Sequence, residues 1–449
     1  MAVDVKFSGE YYAAGMYLDR TNVNKTSYTI PATLTTPAKL VDEGPSTAFY
    51  FQRLRLNTQF VVSPGLTLTA RADIMERAWG ANRTAPGIAQ DVMSAGTRAE
   101  NENIAFDLLY VSYVSPIGMF NVGYQIDDVW GTVWGNSSNP KGKIAYFFKT
   151  GGLTLILQAG KDKELSRSAT NLAGDADKDQ SFYTAAGVYS WKTGEAGLLF
   201  KYIKNNQFRN ALAVMPPPAP FAQDAGFTWD GLITTPYVKA KLGPVALQAQ
   251  IYYLYGEQSY EGNMALRGNL PDVDLNQLTA WIDATVDLGM FYVGGSLAYV
   301  SGDDPDTLDE QEGGVLGGGL DYNPCLIMFN SDLNYWTGNL AGHNGSANNG
   351  PMSNAYFAQL RAGVKPIDKL DIMLSGSYAT ADKTPQAVWD SREYGYEIDL
   401  TATYKITNNL SYMLGGGYWI VGDYYKGTAA AGQDVDDNFM VINKLTLTF

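Results

Sequence analysis

The feature that most constrains this fold is a regular alternation of short turns and long polar connections between strand-like segments. Segments of alternating polar and apolar residues recur along all 449 residues and meet in pairs at tight turns. Two such pairs are LNTQFVVSPGLTLTARADIM, residues 56–75, and AYFFKTGGLTLILQAG, residues 145–160. Eight tight turns alternate with nine longer connections, and no linker or change of composition interrupts the series. The pattern favours one large antiparallel sheet over a string of separate domains.

The two faces of the segments differ in the way expected for a membrane barrel. In GYEIDLTATYKI, residues 395–406, Tyr396, Ile398 and Leu400 share one face, and Glu397 and Asp399 share the other. A soluble sandwich also alternates, but strands of about 10 residues, asymmetric connections, and Tyr or Trp near strand ends favour a transmembrane barrel. Because the hydrocarbon layer holds no water, every backbone polar group there must pair with a neighbouring strand, and only a closed sheet leaves no edge.

We therefore predict an all-β fold, a single transmembrane antiparallel β-barrel domain over residues 1–449. Counting the segments gives eighteen strands, with twenty and sixteen as the alternatives. Short turns of such barrels face the periplasm and long loops face the outside, so both chain ends fall on the periplasmic side.

The longest connection, residues 302–355, leaves the strand count open because it contains an apolar stretch, residues 313–336. That stretch could form a further membrane hairpin about NPC, giving twenty strands. The residues that would then face lipid are Ile327, Phe329, Leu333 and Tyr335. Alternatively it is an extracellular loop that packs on the rim or folds into the lumen. The GGG at 317–319 favours the loop, since glycines leave a lipid face uncovered. We predict a loop that constricts the channel.

Composition argues against several classes of protein. The net charge of -14 is unfavourable for a nucleic-acid binder, and no apolar run approaches the ~18 residues of a membrane helix. The single cysteine, Cys325, cannot form an internal disulfide and is predicted to be a small buried apolar residue. His343 and Ser346 lie in a loop rich in Gly and Asn, without the rigidity that nucleophilic catalysis needs, so we predict no enzyme. Met1-Ala2 leads straight into an alternating segment, which we interpret as a mature sequence with its signal peptide removed.

The chain ends in NKLTLTF, residues 443–449, an alternating segment that stops on an aromatic residue. This resembles the C-terminal signature of bacterial outer-membrane proteins. The resemblance implies that Phe449 is an assembly signal presented to the barrel-assembly machinery, and that the last strand closes the barrel against the first.

A second resemblance covers about the last third of the chain. The segments that carry it are SGDDPDT, GGLDYNPCLIMFN, PIDKLDIMLSGSYATAD and YGYEIDLTATYKITNNLSYMLGGGYWIVGDYYKG. They are similar to porins of metal- and sulfate-reducing deltaproteobacteria and, more distantly, to the alginate-export family of eighteen-stranded barrels. The resemblance implies an outer-membrane protein of a Gram-negative bacterium that moves hydrophilic solutes or an anionic polysaccharide.

Alternation also assigns charged residues to the lumen. The predicted basic stripe consists of Lys6, Arg53, Arg55, Arg71 and Lys444, on the first three strands and the last. The predicted pore-lining acidic residues are Asp283, Asp287, Glu397 and Asp399. Opposed basic and acidic walls would set a transverse field that favours polar solutes. The alternative is that these groups pair across strands, as Asp73 would with Arg55 across their tight turn.

The loop GDDPDTLDEQE, residues 302–312, concentrates carboxylates, of which Asp303, Asp304, Asp306 and Asp309 are candidate metal ligands. They lack the order of an EF-hand. The alternatives are a solvated acidic loop, a loop-bound Ca²⁺, and a divalent ion that bridges to lipopolysaccharide phosphates. We predict no other cofactor.

These observations predict an outer-membrane porin for diffusion of small hydrophilic solutes and ions. One alternative is a specific channel for an anionic saccharide or organic acid, and another is a structural barrel that houses a partner. The expected partners are outer-membrane lipid, lipopolysaccharide and the barrel-assembly machinery, with a homotrimer as an open possibility and no nucleic acid.

Overall fold

The structure, a computed structural model, describes residues 3–25, 28–30, 39–41, 44–80, 104–165, 178–209, 226–260, 271–314, 319–340, 348–386, 388–428 and 433–449. Eighteen long strands form the wall. They are β1 (Asp4–Leu18), β2 (Thr47–Ser63), β3 (Leu66–Ala78), β4 (Ile104–Ser115), β5 (Gly118–Asp127), β6 (Asn139–Thr150), β7 (Leu153–Lys163), β8 (Gln180–Trp191), β9 (Gly194–Asn205), β10 (Phe227–Leu242), β11 (Val245–Tyr260), β12 (Val273–Leu288), β13 (Phe291–Val300), β14 (Ala355–Ile367), β15 (Leu370–Ala381), β16 (Glu393–Lys405), β17 (Leu410–Val421) and β18 (Asn438–Thr448).

Each wall strand pairs antiparallel with its neighbours in the chain, and β18 pairs with β1 to close the ring. The closing register runs from Glu10 opposite Thr448 to Leu18 opposite Met440. The prediction of a closed eighteen-strand barrel is confirmed, and the counts of twenty and sixteen are wrong. Two small additions lie in the connections: a hairpin of Tyr28–Ile30 with Lys39–Val41, and the strand Glu310–Gln311, which pairs parallel with β12.

The wall presents apolar side chains outward, as the alternation predicts. On β16, Tyr396, Ile398 and Leu400 are exposed on the outer surface, while Glu397 and Asp399 between them are buried inside. This arrangement suits a barrel surrounded by lipid, because the side chains meet hydrocarbon while the backbone groups of every wall strand pair with two neighbours.

The apolar stretch that left the count open forms no membrane hairpin in its described residues. It turns inward and includes one short helix, α1 (Ser331–Thr337). Asn330 caps the helix by accepting a hydrogen bond from the Leu333 N–H at 2.9 Å, and its amide nitrogen donates to the Leu326 carbonyl at 2.8 Å. Polar groups that a lipid-facing strand would leave unpaired are thus satisfied within the loop. No helix in the described part of the chain is long and apolar enough to cross a membrane.

The buried core lies inside the barrel, where the loop packs on the wall. Ile327, Met328 and Phe329 are fully buried there rather than facing lipid. Their neighbours in the core come from strands distributed around the wall: Tyr12, Met16, Trp281, Phe357, Tyr394 and Trp419. The long loop therefore occupies part of the lumen.

Candidate functional site

Two connections meet inside the barrel. Trp134, from the connection between β5 and β6, is fully buried and stacks on Trp281 of β12, with ring centroids 6.1 Å apart. Tyr322 of the long loop packs edge-on against Trp134 at 5.0 Å. The Trp134 indole N–H donates to the Thr279 hydroxyl at 3.2 Å. Three rings from two loops and one strand thus form an aromatic junction within the lumen.

Polar contacts reinforce this junction. The Asp321 N–H donates to the Asn136 carbonyl at 3.0 Å, and the Ser138 hydroxyl donates to the Asp321 carboxylate at 2.6 Å. Burial raises the pKa of the Tyr322 phenol above its ordinary value. The shorter connection therefore braces the longer one from the side.

Glu397 fixes the long loop to the wall. Its two carboxylate oxygens accept hydrogen bonds from the backbone N–H groups of Ile327 and Met328, each at 2.7 Å. The Gln359 amide adds a hydrogen bond to the Pro324 carbonyl at 2.7 Å. The segments NPCLIMFN and YEIDL are therefore in direct contact through the two Glu397 hydrogen bonds.

This contact corrects one prediction about the acidic residues. Glu397 and Asp399 face inward, but the loop covers both side chains, so they are buried instead of lining an open pore. Their role in the structure is to hold the loop. The sequence did not reveal this because the loop conformation depends on contacts more than 60 residues away along the chain.

A cavity of about 600 Å³ lies between the long loop and the wall formed by β1, β2, β3, β17 and β18. One side is aromatic: Phe51 packs against Trp336 of the loop with centroids 4.4 Å apart. The Lys444 ammonium nitrogen lies 4.5 Å from the centre of the Tyr12 ring. Lys444 makes no ion pair with a carboxylate of the described residues. The cavity thus combines an available cation with apolar ring surface.

The arginines of the predicted basic stripe all have carboxylate partners. Three pairs form between neighbouring strands: Arg53 with Glu76 at 3.2 Å, Arg55 with Asp73 at 2.6 Å, and Arg71 with Asp107 at 2.9 Å. Of the five predicted residues, the cavity brings together Arg53, Arg55 and Lys444. Arg71 lies on β3, and Lys6 is exposed near the N-terminal end of β1. The stripe is therefore a row of ion pairs with Lys444 beside it.

The predicted acidic wall is also modified by pairing. Asp283 forms a two-point ion pair with Arg361 at 2.7 and 2.8 Å and accepts a hydrogen bond from Ser296. Asp287 is exposed beside a tight turn, where it accepts from the Gly289 N–H at 2.9 Å. Sequence analysis missed Arg361, although the alternation in AYFAQLRAGV places it on the lumen face of β14.

A further charged cluster was not predicted. Lys143 and Lys201 both bind Asp127, with nitrogen–oxygen distances of 2.7 and 2.6 Å, and Lys201 also contacts Asp128 at 2.8 Å. Lys141 pairs with Asp128 at 2.7 Å. In the sequence, the alternation KGK at residues 141–143 places both lysines on the same face of β6, and this pattern could have predicted the cluster. These ion pairs lie at the base of the connection that carries Trp134, so they fix where that connection enters the lumen.

The candidate calcium ligands mainly stabilise their own loop. Asp303 accepts from the Glu312 N–H at 3.0 Å, and Asp304 pairs with Lys383 at 2.5 Å. The hydrogen bond from Lys383 lowers the pKa of the Asp304 carboxyl. The Asp309 carbonyl accepts from Asp274 at 2.8 Å, and the Asp306 N–H donates to Asp304. Within the described residues these four carboxylates do not converge on a common point. Calcium binding stays a prediction.

The last residue is hydrogen-bonded to the first strand. The Gly9 N–H donates to the Phe449 carbonyl at 2.8 Å, and the Phe449 N–H donates to the Gly9 carbonyl at 3.1 Å. A Cβ added at Gly9 would lie 2.7 Å from the Arg55 carbonyl oxygen and 2.8 Å from the Phe449 ring, so a side chain there would clash with the backbone of β2. The role of Phe449 in assembly stays a prediction.

No protein-family model and no curated protein matches this sequence. Solved structures do match. One is OpdK, an outer membrane protein of Pseudomonas aeruginosa determined with vanillate, with a TM-score of 0.50, 12% identity, and coverage of 99% of this chain and 98% of that chain. Another is Pseudomonas aeruginosa OccK9 (OpdG), with a TM-score of 0.51, 13% identity, and coverage of 99% of both chains. At such low identity, the likeness establishes a shared barrel fold.

Proposed function

We propose that this chain is a channel of a Gram-negative outer membrane for the diffusion of small hydrophilic solutes and ions. The observation that carries the proposal is the charged cavity of about 600 Å³ inside a closed barrel with an apolar outer surface. A cavity of this volume accepts small molecules and ions, and its polar side chains can replace part of their hydration shells. The shared fold with OpdK, an outer membrane protein, supports the same location.

The charges around the cavity favour a general selection for polar solutes over a selection for one sign of charge. Its cationic side chains are Arg53, Arg55 and Lys444, and its anionic side chains are Asp73, Glu76, Asp321 and Asp332. Because the two arginines are paired with carboxylates, their fields largely cancel beyond the wall. Such a surface hydrates ions and orients dipoles while excluding apolar molecules.

A second candidate function is binding of an organic acid during passage, and it is favoured by Lys444. A solute carboxylate would pair with its ammonium group, while an apolar or aromatic part would contact Tyr12, Phe51 and Trp336. The OpdK structure with vanillate, an aromatic carboxylate, supports this choice of solute class by analogy. An anionic saccharide would also pair with Lys444, but its hydroxyl groups would make fewer apolar contacts with the aromatic rings.

The remaining expectations have less support. A barrel that houses a partner protein would need a lumen that the described loops already partly occupy. Relationship to deltaproteobacterial porins or to alginate-export proteins, removal of a signal peptide, contact with lipopolysaccharide, and trimer formation stay proposals. The channel role requires no catalytic group, and the absence of enzymatic activity stays a proposal.

The test is conductance of the purified barrel in planar bilayers. We expect steady single-channel currents that vanillate reduces and that vanillyl alcohol, which lacks the carboxylate, leaves unchanged. Lys444→Gln should weaken the block by vanillate about 10-fold, the loss of one charge-assisted hydrogen bond. The matched control is Lys192→Gln, in the exposed turn between β8 and β9.

The outcomes separate the two functions. A folded barrel without measurable current would overturn the channel proposal. Currents that vanillate blocks equally in wild type and Lys444→Gln would leave the channel but remove Lys444 as the binding group.

A further inference from the structure

Three chemically reactive side chains come together where the long loop meets β16. One ligand atom from each of Cys325, Glu397 and Asp399 lies within 4.8 Å of the other two. Their side chains are 4%, 0% and 3% exposed, respectively. Among the described residues this is the one such group of three with metal-ligating atoms. The channel function proposed above makes no use of it.

The charges of this group are not balanced by neighbouring protein cations. Neither Glu397 nor Asp399 forms an ion pair with a Lys or Arg of the described residues, unlike Asp73, Asp127 and Asp283 in the same barrel. Two adjacent carboxylates withdrawn from water repel each other and lose hydration, so they require a compensating positive charge or a proton. A divalent cation would supply that compensation.

The carboxylate oxygens also have unused capacity to bind a ligand. Asp399 Oδ1 is buried and accepts no hydrogen bond. Each Glu397 oxygen accepts one backbone N–H and retains a second lone pair. Gly417 opposite contributes no side chain: a Cβ there would lie 2.6 Å from Asp399 Oδ1 and 3.3 Å from Glu397 Oε1. The two oxygens therefore border the same small space.

We propose that Cys325, Glu397 and Asp399 bind one divalent transition-metal ion of the zinc class, which ties the long loop to the barrel wall. A thiolate with two carboxylates suits Zn²⁺ or Co²⁺, whereas Ca²⁺ and Mg²⁺ prefer oxygen ligands alone. Binding releases the Cys325 thiol proton to solvent and changes no oxidation state. Cys325 belongs to the loop and the carboxylates to β16, so the ion would add a direct link between two elements that already meet through hydrogen bonds and ring packing.

The test uses Co²⁺ as the probe on the folded, chelator-treated barrel in detergent. We expect one Co²⁺ retained per chain after gel filtration and a sulfur-to-cobalt charge-transfer absorption. Because Cys325 is the single cysteine of the chain, that absorption has one possible origin. Cys325→Ser should abolish the band, and Asp399→Asn should weaken binding about 10-fold or more. Asp287→Asn, an exposed carboxylate beside a turn, is the control and should leave both readings unchanged.

Several results would overturn the proposal. No retained Co²⁺, or retained Co²⁺ whose amount and spectrum are the same in Cys325→Ser, excludes this site. Should Asp399→Asn fail to fold, Cys325→Ser still decides, since it changes one atom and keeps both carboxylates. Metal binding is measured by gel filtration and absorption, whereas the channel proposal is tested by conductance. A negative result in one experiment therefore does not decide the other.

Discussion

Arg55 and Asp73 face each other across the hairpin of β2 and β3 and form a two-point ion pair, with nitrogen–oxygen distances of 2.7 and 2.6 Å. Each charge therefore has its counter-charge within the wall. The same holds for Arg53 with Glu76 and for Arg71 with Asp107. The electric field that a solute meets in the lumen therefore changes little when a whole pair is removed. It changes more when only one member of a pair is removed.

Removing the three arginines should expose three carboxylates. For Arg53→Ala/Arg55→Ala/Arg71→Ala we expect the reversal potential in a salt gradient to shift toward cations. Adding Asp73→Asn, Glu76→Gln and Asp107→Asn should return it close to the wild-type value, since each pair is then removed whole. Charges in a narrow lumen are screened less than exposed loop charges, which lose influence beyond ~8 to 10 Å at physiological salt. Equal reversal potentials for wild type and the triple variant would show that these pairs lie outside the permeation path.

Deleting residues 303–350 should widen the path. The wall strands β13 and β14 pair directly with each other and do not need the loop for their register. We expect a folded barrel with higher single-channel conductance, because the loop residues that pack in the lumen are gone. Heat-dependent migration on gels checks folding, and bilayer recordings check conductance. A folded deletion variant with wild-type conductance would place the loop beside the path.

Glu397→Gln should release the long loop without opening the barrel. Glutamine replaces one of the two carboxylate oxygens with an NH₂ group, so one of the two backbone N–H groups loses its acceptor and is left unsatisfied at a cost of about 1–3 kcal/mol. Hydrogen exchange at Ile327 and Met328 should therefore speed up about 5- to 150-fold. The control Asp287→Asn should leave it unchanged. Unaltered exchange in Glu397→Gln would mean that other contacts hold the loop.

Trp134→Ala should loosen two connections together. The ring is fully buried between Trp281 and Tyr322, so its removal leaves a cavity and should lower the local stability by about 3–5 kcal/mol. We expect faster hydrogen exchange in residues 128–138 and 319–340, with the wall strands unaffected. Trp79→Ala is the matched control, because that ring is exposed and stacks on Tyr50 outside the junction. Faster exchange confined to 128–138 would show that the loops are held independently.

Phe449 should matter more for assembly than for finished stability. Its side chain is about half exposed, and its backbone pairs with Gly9. Deleting Phe449, or changing it to Asp, should lower the amount of barrel inserted in cells. The inserted fraction should melt close to the wild-type temperature. Normal insertion of both variants would contradict the assembly role.

The sequence predicted those features that follow from local pattern. Alternation fixes which residues of β16 face outward, and a tight turn sets the register of a hairpin, so the Arg55–Asp73 pair was foreseen as an alternative. Arg71 and Asp107 lie on strands joined by a long connection, where no turn sets the register, and their pairing was not foreseen. Alternation on β14 also predicts that Arg361 faces the lumen, but its partner Asp283 lies two strands away on β12, and alternation does not predict pairing between those strands.

The loop in the lumen was the least predictable part. Its apolar residues indicated that it would be buried against other parts of the protein. Which wall strands it packs against depends on contacts between residues distant in sequence. Glu397 looked like one more polar lumen residue, and Cys325 looked like a small apolar one. Their proximity follows from the turn at Phe329, whose φ is 54°, and from the Asn330 cap that shapes the loop.

The position of the long loop has a consequence for how the ring is held shut. Leu326 packs beside Gly415 of β17, and Trp336 packs on Phe51 of β2. Between those two strands lies the junction of β18 with β1, where the chain ends meet. The loop thus spans this junction on the inner side of the barrel. Parting the two ends would require detaching the loop from one side as well as breaking the ladder, so we expect this junction to separate no more readily than any hairpin in the wall.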